Sequence, residues 1–101
     1  MFQGERFLTR GVDAAIPVAL QLFMWNAIDN MPAPKDYLQV FELSSQNGLQ
    51  VIHHTSEQPT FDMTYILPTI LNPVTAKIYV IDDYYADAEK HIATMLLAEE
   101  Y

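Results

Sequence analysis

The sequence predicts an α+β domain, one N-terminal helix laid on an antiparallel sheet of about five or six strands. Three observations carry that prediction. A helical apolar period runs through residues 14–31 and stops at Pro32 and Pro34. Short runs rich in alternating or β-branched residues fill most of the chain beyond Pro34. Each run is bounded by a single turn rather than a long connection. With 101 residues, half of them apolar, the chain suits one domain, because two cores would each be too small to hold together.

Taken in order, FLTRGV at residues 7–12 alternates and predicts a short strand. Asp13 then serves as N-cap, and Pro17 falls early enough to be tolerated in a first turn. From Ala14 to Met31, the residues Ile16, Leu20, Phe23, Ala27 and Met31 recur at spacings of three and four and make one broad apolar face. Val18, Leu22 and Trp25 recur at the same spacings on the opposite side, interrupted only by Gln21, Asn26, Asp29 and Asn30. A helix apolar on two sides is either buried on both or offers a contact surface. Val18, Leu22 and Trp25 are therefore candidate interface residues, for a protein partner or for self-association.

YLQVFELS (37–44) and LQVIHHTS (49–56) flank Ser45-Gln46-Asn47-Gly48. Asn-Gly signals a hairpin, since both residues tolerate positive φ in a type I′ turn. Phe61 to Leu67 reads as the next strand, between Pro59 and Pro68, and VTAKIYVID (74–82) as another. ADAEKHIATMLLAEE has helix propensity throughout, with Asp83 or Asp87 as cap, yet TMLLAEEY would equally pair back on residues 74–82. Propensity alone slightly favours the helix.

Charge and composition exclude several classes. The net charge of −8 resides wholly in residues 36–101, where ten acids face Lys77 and Lys90. So few cations cannot neutralise many phosphates, which argues against direct nucleic-acid binding. A basic protein partner would be attracted instead. Cysteine is absent, which removes disulfides and thiolate sites and fits a reducing compartment. The first ten residues lack an apolar signal-peptide core, and no apolar run approaches the ~20 residues of a membrane span. The expectation is a cytoplasmic protein with no membrane association.

The densest run of chemistry-bearing residues is VIDDYYADAEKHI, residues 80–92. Read as an EF-hand from Asp83, it puts Tyr85 at the third position, Ala88 at the sixth and Thr94 at the twelfth, where oxygen, Gly and Glu are required. Asp87, Glu89 and His91 would converge on a metal only in an extended strand, which the intervening alanines and Lys90 disfavour. A solvated connection is the favoured reading, with Tyr84 and Tyr85 as exposed anchors for a partner. His53 and His54 are adjacent in a strand and so face opposite sides; Glu42 falls opposite His53 if Asn47-Gly48 is a two-residue turn. Ser44, Ser45 and Ser56 lack a nucleophile elbow, and Gly4, Gly11 and Gly48 form no phosphate loop. No catalytic residue, cofactor or metal is assigned.

The stretches ERFLTRGVD, PKDYLQVFEL, PVTAKIYVIDD and TMLLAEEY, spread over the whole chain, resemble domain-of-unknown-function family nine-sixty, small acidic proteins of Gram-positive bacteria and their mobile elements. That resemblance implies one compact cytoplasmic domain with no known substrate, cofactor or catalytic residue. It also implies that the link after VIDD can be shorter than YYADAEKHIA, which suits a hairpin and puts a strand at residues 94–99. The leading functional expectation is a non-enzymatic interaction or self-associating domain. Two alternatives stand beside it: an acidic mimic of nucleic acid that inhibits a DNA-binding protein, and a small hydrolase or metal-dependent enzyme.

Overall fold

The computed structural model describes residues 1–68, 70 and 72–101. The chain is α+β, with two helices and six strands in one mixed sheet. The strands are β1 (Glu5–Leu8), β2 (Leu38–Gln46), β3 (Leu49–Glu57), β4 (Thr60–Leu67), β5 (Ala76–Tyr85) and β6 (Lys90–Leu97), in the spatial order β1-β6-β5-β2-β3-β4. The helices are α1 (Arg10–Ala15) and α2 (Val18–Asp29).

The N-terminal third departs from the expected strand and single helix. β1 ends at Leu8 because Thr9 caps a helix there, its hydroxyl accepting from the Val12 amide at 3.3 Å. Asp13 is thus not the cap but a first-turn acid, where its charge complements the helix N-terminus. Pro17 does not sit inside a continuous helix. The residue before a proline is driven out of the helical region, and Ile16 is extended at φ −113°, ψ 118°. The chain therefore breaks, and Pro17 starts α2 as its N-cap.

The middle of the chain obeys its local signals. Asn47 and Gly48 take φ of 54° and 77° and close the β2–β3 hairpin, which sets Glu42 opposite His53. Gln58 and Pro59 close the β3–β4 hairpin, whose register begins at Glu57↔Thr60. β5 then crosses back to lie beside β2 rather than β4.

The end of the chain is a strand. β6 starts earlier than residue 94, at Lys90, and pairs antiparallel with β5 from Tyr85↔Lys90 to Ile78↔Leu97. Its other side pairs with β1, and this pair is parallel, Glu5↔Ile92 to Leu8↔Met95. The sheet is therefore mixed, not antiparallel throughout. Parallel neighbours need a long connection, here everything between Leu8 and Lys90. At Gly4 an added Cβ would stand 2.2 Å from the His91 carbonyl oxygen, so the entry into β1 requires glycine.

One buried cluster joins both kinds of element: Leu20, Met24 and Ile28 from α2, with Phe41, Ile52 and Ile78 from the sheet. All six are fully buried. Along β2, β5 and β6 the alternate residues Val40, Tyr79, Ile81, Ile92 and Leu96 stand outside that cluster. The smallest extent of the molecule is 20 Å, about the depth of two packed layers.

Because β6 lies between β1 and β5, truncation after Ala93 should unfold the domain. It removes Met95, a fully buried core residue whose loss alone costs about 2–5 kcal/mol of a total near 5–15. Far-UV circular dichroism should show loss of the native spectrum; a cooperative thermal transition in the truncated chain would contradict the topology.

Candidate interaction surfaces

The stripe expected along α2 is split. Val18 and Leu22 are exposed, at 65% and 58%. Trp25 is not available to a partner: it is 9% exposed and belongs to the core cluster. Its cover comes from β1, where the Arg6 guanidinium lies 4.8 Å from the ring centroid. Asp29, one helical turn further on, holds Arg6 from above as a bidentate ion pair. The Arg6 hydrogen bonds hold the Asp29 carboxyl below its ordinary pKa, against a smaller opposing effect of burial. A cation on an indole face, fixed by a carboxylate, seals the edge of the helix. No local signal pairs Arg6 with a tryptophan 19 positions away.

The acidic segment is likewise divided by the strands it belongs to. Asp82 points to the buried side and is 4% exposed. Its Oδ2 accepts the Phe2 amide at 2.8 Å, and His91 Nδ1 lies 3.3 Å from the same oxygen. That second approach is close enough for an ion pair when the ring is protonated, but is not aligned as a hydrogen bond, and it leaves Asp82 Oδ1 and His91 Nδ1 without hydrogen-bond partners. Tyr84 shares this side, its ring 5.1 Å from that of His91. Asp83 and Tyr85 alternate to the other side of β5. Asp87 and Glu89 lie in the connection, a short 3-10 turn followed by Glu89 at φ 50°. Asp87, Glu89 and His91 do not converge, and no group of three metal-ligating side chains occurs among the described residues.

His53 and His54 diverge as adjacent strand residues must. His53 is partly exposed and bonds Asp62 at 2.8 Å rather than Glu42. His54 is fully buried, stacked on Phe41 with ring centroids 4.1 Å apart. The Gln39 amide nitrogen donates to the Asp36 carbonyl, so Gln39 Oε1 is left to accept, and His54 Nε2 carries the proton at 2.7 Å. Nδ1 is then a buried acceptor with no donor. Burial, and secondarily the nearby His53, lower the His54 pKa from 6.5 to about 4.

A cavity of about 310 Å³ is lined by residues that include Asp36, Ser56 and Glu57. Burial would raise the Asp36 pKa, but the amides of Gln58, Leu38 and Glu57 outweigh it and hold the carboxyl low. That carboxylate is occupied in closing the strand ends and offers no free base. Glu100 acts similarly at the far end: hydrogen bonds from Thr9, then Leu97 and Gly11, lower its pKa and tie the chain end to the start of α1.

A surface that sequence reasoning misses is the side of the sheet facing away from the core cluster. Leu38, Val40, Tyr79, Ile81, Ile92 and Leu96 lie in register across β2, β5 and β6. Phe7 of β1, half exposed, extends the band opposite Thr94. Tyr101 rests edge-on against Tyr79 at 5.7 Å. Around the band stand Glu5, Glu42 and Asp83, with Lys77 and Lys90 as the cations; Glu5 is paired to Lys90. The signal is present as apolar residues on both phases of the strands, in AKIYVID and HIATMLL, a pattern that alternation on one face does not produce.

The family model DUF960, described as a staphylococcal protein of unknown function, matches residues 5–100. No curated protein matches the chain. A crystal structure described as a protein of unknown function from Enterococcus faecalis matches it with a TM-score of 0.75 at 27% identity, covering 97% of this chain and 91% of that one.

Two outcomes are expected from this geometry. The folded-state pKa of His54 lies below the unfolded one, so as pH falls through 6.5 the unfolded chain takes up the proton first. Stability should drop by about 2–3 kcal/mol on this account by pH 4.5, with the loss complete below about pH 4. Urea titrations at pH 7 and pH 4.5 should show most of this difference vanish in His54→Gln, whose amide still reaches Gln39. Calcium, magnesium or zinc added to chelated protein should leave its Tm unchanged, since any tightly bound ion would raise it. A dose-dependent rise abolished by Asp87→Ala would place a site in the β5–β6 connection.

Proposed function

The chain belongs to the DUF960 family, whose description assigns no activity, and we propose that it is a non-enzymatic protein-binding domain that docks a basic partner on its outward sheet face. The observation that carries this reading is the apolar band formed by Phe7, Leu38, Val40, Tyr79, Ile81, Ile92 and Leu96, which stands outside the core cluster. Tyr85, 49% exposed on the same side of β5, continues it. The molecule measures 47 by 29 Å along its two longer axes, enough to seat the roughly 800 Å² per partner of an ordinary interface. An apolar centre with a polar rim is the usual anatomy of such a surface.

Charge selects the partner. The protein is −8 overall; Glu5 is paired to Lys90 and Glu42 stands in register with Lys77, so Asp83 and the overall charge set the field at the band. A partner rich in Lys and Arg would be steered onto it, whereas a second copy would bring like charges together. Val18 and Leu22 on α2, and Tyr84 on the Asp82 side of β5, lie outside this band and take no part in the contact. The setting we infer is the cytoplasm, as suits a chain without cysteine; no helix is long and apolar enough to cross a membrane among the described residues.

The test is comparative capture. Wild-type protein on a support should retain a basic protein from native extract at low salt and release it near 0.5 M, as screening weakens steering. The exposed-residue double variant Phe7→Ser/Tyr85→Ser should lose at least about tenfold of that binding, while Val18→Ser/Leu22→Ser keeps it. Equal capture by the first variant, or retention of acidic proteins only, would sink the reading.

A further inference from the structure

The sheet has two edges, and β4 is the long one, eight residues against four in β1. Its inner side pairs with β3 along the full length, Glu57↔Thr60 to Gln50↔Leu67. On its outer side no backbone hydrogen bond reaches β4 from another element among the described residues. Native edges are usually blunted by lysine, by internal proline or by a bulge. β4 has none of these. Its register is unbroken, Pro59 and Pro68 stand just outside it, and its single charge, Asp62, is already paired with His53.

Two further features indicate what the edge accepts. Met63 is 44% exposed on the core-facing side of β4, opposite buried His54. Nearby, Phe23, Asn26, Ala27, Asn30 and Tyr65 line a cleft of about 100 Å³, which Met63 of the same chain does not line. An unbranched thioether suits an irregular apolar gap of that kind.

We propose that β4 pairs antiparallel with β4 of a second copy of this chain, with Thr64 on the two-fold axis. In that register Met63 of each copy lies opposite Tyr65 of the other, beside its Phe23–Tyr65 cleft, and Phe61 lies opposite Leu67. Asp62 falls opposite Ile66, so the acids do not face one another. Core-facing residues meet core-facing residues, which the two-residue period of strands requires. The contact is isologous and closes at two copies, leaving one continuous sheet through both. It uses none of the outward band and stands independently of the partner proposed for that face. The net charge of −8 per copy opposes it, so added salt should strengthen the pairing.

Sedimentation velocity of the full chain over a concentration series, at low salt and near 0.5 M, should show a monomer–dimer equilibrium favoured by the higher salt. Met63→Lys, an edge lysine at an exposed position, should weaken the dimer about tenfold or more while circular dichroism stays native. The chain has no cysteine, so Thr64→Cys supplies a single thiol. Residues facing across the axis lie about 4.5–5.5 Å apart, within disulfide reach, and mild oxidation should give a cross-linked dimer that Val18→Cys does not. A monomer at every concentration in both salts, a dimer that Met63→Lys leaves intact, or failure of Thr64→Cys to cross-link would each overturn the proposal.

Discussion

A sheet of six strands whose core cluster gathers the residues of one strand phase must divide its side chains into two unequal sets, and most of this molecule depends on that division. One set, with Phe41, Ile52, Ile78 and Met95, is fully buried. The other keeps its aliphatic residues only partly covered by their own cross-strand neighbours. Polar groups on the buried set must then find partners inside, and Gln39, Gln50 and Asp82 do so. The Gln50 amide spans from the Ser44 carbonyl to both backbone groups of Val74. It thereby fixes the entry to β5 just before that strand crosses to β2.

Among the described residues four buried side-chain atoms lack a hydrogen-bond partner, Ser56 Oγ, His91 Nδ1, His54 Nδ1 and Asp82 Oδ1, and the last two lie on β3 and β5. A neutral imidazole tolerates the lack of a donor better than a charged ring tolerates burial, which is why His54 stays deprotonated. Asp82 keeps one oxygen on the Phe2 amide, and Phe2 is itself almost fully buried. The N-terminal segment is therefore held by its backbone and its side chain at once.

The features legible in the sequence are local ones. The Asn47-Gly48 turn is readable because its chemistry is confined to two residues, and with it comes the Glu42–His53 register. The divergence of His53 and His54 is readable from the period of a strand. The parallel pairing of β1 with β6 is not, since no turn residue announces a partnership across more than eighty positions. Trp25 reads as surface because its helical phase is outward; Arg6 and Asp29, from two different elements, reverse that. Pro17 reads as a tolerated first-turn residue because Asp13 resembles a cap. Thr9 supplies the cap four residues earlier, which leaves the proline too deep to remain inside one helix. The outward band escapes notice for a related reason: runs such as AKIYVID announce strands well before their apolar residues on both sides are weighed.

The position of β6 has a consequence for how the molecule is made. Ribosomes deliver the chain from its N-terminus, and β6 is the last strand to emerge, yet its place lies between β1 and β5. Until then β5 presents one unpaired side, and β1 has no neighbour at all. The nascent chain can close its two hairpins early, because their pairings are short-range, but the core cannot be sealed before synthesis of the final strand. The fold can therefore close only after β6 has emerged, and a chain stalled before that strand would expose the apolar interior to the cell's proteases.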